Sequence, residues 1–187
     1  ENEFPLDPAI TYGKLENGFT YYIRENQTPK DKVSIKLIIK AGSIMEEEKQ
    51  LGLAHLLEHM AFNGSKNFPK RKIDEYMSSI GLNLGSHYNA SAGFLETSYD
   101  YEIPTKNDKD VEIALKILTD ISKNLSLEPE AFERERKIVE EECRRDIGGS
   151  QDYVNEFHKV LFKNSRLNER KPIGTLDIIQ NFKYQDV

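Results

Sequence analysis

The chain has 187 residues, 37% of them apolar and 31% charged, and its 26 Lys+Arg against 32 Asp+Glu leave a formal net charge of −6. That length and apolar content suit one generous domain with a sizeable core and exclude a disordered tail, and no apolar run approaches the roughly 20 residues of a spanning helix. The acidic balance argues against a nucleic-acid or anionic-membrane partner, and the single cysteine, Cys143, excludes a disulfide framework and any multi-cysteine zinc site.

The chain starts at Glu1 rather than Met, carries no basic-then-apolar targeting segment, and ends on a run from Phe182 to Val187 without a cap or stop signal. It reads as a trimmed or partial chain. With no repeat and no Pro/Gly/Ser linker, a single domain over 1–187 is expected. Asn17-Gly18 between residues 12–16 and 19–24 predicts a hairpin with a two-residue turn. Residues 33–40 predict a strand, apolar on odd positions and ending at Ala41-Gly42. Helical patterns follow over about 52–62 and 69–79, the second with Pro69 in its first turn. Residues 83–91 predict a strand turned at Ala92-Gly93. Beyond it Leu95, Thr97, Tyr99, Tyr101 and Ile103 alternate with polar residues, which predicts a strand with one wet face. Helices are expected over 108–123, 129–146 (Pro129 in the first turn) and 151–162. The order predicts an α+β fold with helices packed on a largely antiparallel β-sheet.

The chemistry concentrates in Gly52-Leu53-Ala54-His55-Leu56-Leu57-Glu58-His59-Met60. On a helix His55 and His59 lie one turn apart and present their imidazoles to one point. Glu58 hangs beside that point without ligating. This H-x-x-E-H order is the reverse of the better-known zinc-peptidase helix. Zinc wants neutral imidazoles, a third ligand and an open position for water, and a nearby carboxylate can take that water's proton. The competing reading is two partly buried histidines beside a glutamate, but among so many apolar neighbours unpaired polar groups are costly.

Projected as a helix, residues 129–146 gather Ile138, Ala131, Val139, Phe132 and Cys143 into one arc. Glu135 and Glu142, seven residues apart, fall inside it, whereas Glu133, Glu140 and Glu141 point elsewhere as solvated charges. Two carboxylates on an apolar face need a cation, a proton or a donor. Basic side chains are one solution. The other makes one glutamate a metal ligand and its partner a supporting group.

These residues, with Ala61-Phe62-Asn63-Gly64-Ser65, Tyr88-Asn89-Ala90-Ser91, Glu96-Thr97-Ser98-Tyr99 and Glu135-Arg136-Lys137-Ile138-Val139-Glu140-Glu141-Glu142, resemble the pitrilysin/insulinase family of zinc peptidases. The resemblance runs from Asn17 to Gly174, and Pro5-Leu6-Asp7-Pro8 is most similar to the bacterial envelope branch. It implies one lobe of a clamshell metallopeptidase located in the periplasm or envelope, with Zn²⁺ as cofactor and peptides or small unfolded proteins as substrate. It makes His55, His59 and Glu142 the metal ligands, Glu58 the general base and Glu135 the supporting catalytic carboxylate. Asn89 and Ala90 fall where the family's edge strand holds the substrate backbone. The family also builds its catalytic chamber with an Arg and a Tyr from a later lobe, the expected partner of this domain. Two rivals stand beside this: a lyase of the ribosylhomocysteine type using Cys143 as third ligand, and a non-catalytic scaffold lobe. His87 and His158 are expected to be ordinary histidines.

Overall fold

A computed structural model describes residues 5–148 and 150–186, so the two chain ends discussed above, Glu1 and Val187, lie outside it. It divides into two compact units, one running to Lys32 and one from Val33 onward.

In the first unit, β1 (Ile10–Lys14) and β2 (Thr20–Arg24) form an antiparallel hairpin with Lys14 opposite Thr20. Its loop has three residues rather than the predicted two, because the Leu15 N–H donates to the Phe19 carbonyl at 2.8 Å. A two-residue hairpin turn of this type needs positive φ at both centres. Only Gly18 adopts it (+88°), while Asn17 uses its Oδ1 to accept the Phe19 N–H at 3.1 Å.

The second unit is built on three strands, β3 (Lys32–Ile39), β4 (Tyr88–Ala92) and β5 (Thr97–Pro104), in the order β3-β5-β4. β4 and β5 are antiparallel, with Tyr88 opposite Tyr101 and Ala92 opposite Thr97. Among the described residues six α-helices accompany them: α1 (Leu53–Met60), α2 (Lys72–Ser79), α3 (Asp108–Lys123), α4 (Pro129–Arg145), α5 (Ser150–Leu161) and α6 (Leu176–Asn181). The α+β expectation is met.

Local departures have local causes. Residues 83–87 form a turn instead of extending β4, held by the Gly85 N–H on the Tyr88 carbonyl at 2.8 Å. Leu95 lies outside β5 and is exposed, and Ser98 on the expected wet face is buried beside Ser91. Pro69 precedes α2 by three residues, because the segment before it is pinned to α3 instead. α6 spans six residues, too short to show periodicity, and was not expected. Glu140, read as solvated, is half-buried and bonded by Arg144, Arg136 and Gln180.

Two apolar clusters organise this unit. One packs Leu37, Tyr99, Tyr101 and Ile103 of the sheet against Ile73 and Met77 of α2 and Ala114, Ile117 and Ile121 of α3. The other packs Leu53, Leu56 and Met60 of α1 against Ala131, Phe132, Val139 and Cys143 of α4, closed by Ile179 and Phe182. An eight-residue helix such as α1 is not stable alone. Each buried aliphatic side chain contributes about 1.5–3 kcal/mol, so packing on α4 is what holds α1 in place.

Candidate metal centre

α1 turns its apolar stripe to α4 and leaves His55 and His59 on an adjoining face, their rings edge to face with centroids 4.8 Å apart. With Glu58 they place one potential ligand atom each within 4.8 Å of one another. α4 brings Glu142 to the same point. Its Oε2 lies 3.6 Å from His55 Nε2 and 3.4 Å from His59 Nε2. Ligand atoms arranged tetrahedrally at zinc distances of ~2.0–2.1 Å stand roughly 3.4 Å from each other, so both separations from Glu142 suit that ion. Glu58 Oε2 is set back at 4.0 Å from His55 Nε2. Glu135, two helical turns before Glu142 and buried, reaches the far side of His59, its Oε2 3.4 Å from Nδ1.

The environment matches these positions. Burial, and then the neighbouring His59, push His55 down to about 4, so this imidazole is neutral near pH 7, the form that can bind a metal. Burial would also depress His59, but the hydrogen bond to Glu135 and the charges of Glu58 and Glu142 outweigh it and raise its pKa. Burial lifts Glu58 to about 6, with the Glu142 charge adding and His59 opposing, a range suited to a carboxylate that receives and releases a proton. Burial raises Glu135, yet the His59 and Asn63 hydrogen bonds leave it lowered overall.

The centre opens into a cavity of about 580 Å³ whose walls include Phe62, Arg71, Leu84, Asn89, Ala90 and Arg134. Asn89 and Ala90 lie on β4, an edge of its three-stranded sheet, so one wall is an edge strand beyond which no further strand lies among the described residues. Ile138 also lines the cavity and is 42% exposed, not buried within the arc as projected. Cys143 points into the α1–α4 apolar cluster and takes no part in the cavity, which removes the lyase-type ligand set. His87 Nδ1 accepts the Asn83 N–H at 3.2 Å, and His158 packs on Phe162; neither faces the centre.

Several supporting residues escaped the sequence reading. Arg134 donates to Asn63 at 2.5 Å, and Asn63 donates to the His59 carbonyl at 3.1 Å, closing off the end of α1. Glu46 and Arg170 are both buried at the start of α1. Asn63, three residues past the end of α1, had a positional signal. Glu46 and Arg170 had none, being joined only through the tertiary fold.

A helix bearing H-x-x-E-H, faced by a glutamate from a second helix, defines a zinc-metallopeptidase centre. The sequence matches the family described as Insulinase (Peptidase family M16) over residues 21–169, and the chain belongs to that family. It is 36% identical over 186 residues to the probable zinc protease PqqL of Haemophilus influenzae, covering all of this chain and 20% of that protein. Among solved structures it is similar to the periplasmic protease PqqL of Escherichia coli, with a TM-score of 0.93, 32% identity, and coverage of 98% of this chain and 20% of that one. The ferredoxin protease FusC, solved with Arabidopsis ferredoxin, matches at a TM-score of 0.85 and 30% identity over 95% of this chain and 20% of that one. The chain thus spans about a fifth of the length of these relatives. It is a domain of this peptidase family, and the PqqL relatives that it matches are named probable zinc proteases. Among the described residues no helix is long and apolar enough to cross a membrane.

Proposed function

We propose that residues 1–187 form one metal-binding domain of a longer endopeptidase, a lobe of a clamshell that hydrolyses peptides or small unfolded proteins in the bacterial periplasm or envelope. His55, His59 and Glu142 hold the metal, and Glu135 orients His59. Bound zinc supplies a Lewis acid and makes water nucleophilic near neutral pH. Glu58 takes the proton of the attacking water on its carboxylate and returns it to the leaving amine. Asn89 and Ala90 take the peptide backbone as an added strand along the edge of β4.

The observation that carries this reading is the convergence of two imidazole Nε2 atoms on one Glu142 oxygen at 3.4 and 3.6 Å, with Glu58 alongside. The presence of all four residues speaks against a scaffold lobe. The periplasmic location follows only from the PqqL relatives.

The test uses the full-length protein. Metal content should fall sharply in Glu142→Gln and stay at one equivalent in Cys143→Ala. Glu58→Gln should keep its zinc while peptide hydrolysis drops ~10²–10⁴-fold, the usual contribution of a general base. Full turnover by a zinc-loaded Glu58→Gln enzyme would overturn the base assignment, and a metal-free wild type would favour the scaffold.

A further inference from the structure

His55 and His59 are held differently. Glu135 fixes the His59 ring from behind at 3.4 Å, whereas His55 Nδ1 is buried with no hydrogen-bond partner among the described residues. The aim of His55 therefore depends on where the first turn of α1 places its backbone. That turn begins at Gly52, which has positive φ (+97°) and offers no side chain to cap the helix. Its N–H groups would be orphans. Glu46, six residues earlier and only 6% exposed, meets them: Oε2 accepts the Gly52 N–H at 2.9 Å and Oε1 the Ala54 N–H at 2.8 Å. Glu46 is itself locked, since its carbonyl accepts from Arg170 Nε and Arg166 Nη2, both at 2.8 Å. Ser43 Oγ donates to the Arg170 carbonyl at 2.5 Å, tying the strap back on itself. Glu46 does not line the cavity.

We propose that Glu46 is a positioning residue of the metal centre: by clamping the first turn of α1 it aims His55 at the point shared with His59 and Glu142. The inference rests on the ligand assignment proposed above. Glutamine at this position keeps the size and one acceptor, but turns an NH₂ toward one of the two N–H groups. The helix start then shifts or loses a bond, and His55, whose Nδ1 has no hydrogen-bond partner among the described residues, moves with it.

The test measures Zn²⁺ affinity by chelator competition, and the visible spectrum of the Co²⁺ form, in the full-length protein. Glu46→Gln should bind zinc about 10–100-fold more weakly, as loss of an outer supporting contact does, and should alter the Co²⁺ bands. Ile117→Ala, in the sheet-side core on α3, serves as the stability control and should keep wild-type affinity even where its thermal midpoint falls as far. Should Glu46→Gln not fold, Ser43→Ala, which loosens the same strap by one hydrogen bond, should show a smaller loss of affinity with an intact metal-free fold. Wild-type affinity and spectrum in Glu46→Gln, or in Ser43→Ala where Glu46→Gln does not fold, or an equal zinc loss in Ile117→Ala, would overturn the proposal. A wild type that binds no zinc would instead overturn the ligand assignment beneath it.

Discussion

The two imidazoles of the centre share a helix but have different surroundings, and this predicts different sensitivities. His59 has a carboxylate behind it, Glu135, which fixes the ring and favours the tautomer with the proton on Nδ1 and the free electron pair on Nε2. Glu135 is held in turn by Asn63 and by Arg134, whose Nε lies 3.5 Å from Oε1. Glu135→Gln should therefore weaken zinc binding ~10–100-fold without eliminating it, the usual scale for a contact behind a ligand. Chelator competition on Glu135→Gln beside Glu142→Gln checks this. If the Glu135 variant loses zinc as completely as the Glu142 variant, the two carboxylates have been given each other's roles.

At the scale of elements, the segment between α1 and α2 is anchored by one buried carboxylate. Asp120 of α3, 1% exposed, accepts Ser65 Oγ, the Asn67 N–H and Asn67 Nδ2, each at 2.8 Å, and Asn124 Nδ2 at 3.0 Å. Burial raises its pKa, but these donors more than compensate and hold it below the ordinary aspartate value of 3.8. A carboxylate depressed in the folded state adds stability that is fully present above the unfolded pKa and is lost as pH falls through the folded one. Asp120→Asn should thus cost at least ~2 kcal/mol at pH 7, the scale of hydrogen bonds to a charged group. The gap from wild type should narrow below about pH 4. Denaturant unfolding of both proteins at pH 7 and pH 3 decides it, and a gap independent of pH would show that the Asp120 charge contributes nothing.

For the whole molecule, the residues proposed as metal ligands and base all lie between His55 and Glu142, inside the second unit. The isolated 187-residue chain should therefore bind zinc. It should cleave peptides poorly, because catalysis also needs donors for the developing oxyanion and a site closed to water. We attribute both to a later lobe of the longer protein, in keeping with relatives about five times this length. Missing one oxyanion donor commonly costs ~10²–10³ in rate. A fluorogenic peptide assay on this chain, with and without the remainder of the protein, measures the difference. Equal turnover in the two would mean that the domain is a complete peptidase.

The parts of this protein that follow from the sequence are those with short-range periodicity. Residues four apart on a helix must share a face, so His55-x-x-Glu58-His59 was legible as a centre, and the helical repeat singled out Glu135 and Glu142 together. Alternation along β3 and β5 was equally plain, as was Pro129 opening α4, where its missing N–H costs nothing. Which glutamate stands against Nε2 and which against Nδ1 required α1 and α4 to be packed, since helical spacing gives a direction but not a distance. The clamp at the start of α1 lay further from view. Glu46 and Arg170 are 124 residues apart, and the contact between them exists only once the chain has folded. The same holds for Asp120, which meets Ser65 across 55 residues. Local spacing marked the candidate ligands; tertiary packing decided how they face one another, because a ring's direction depends on where the neighbouring elements hold its backbone.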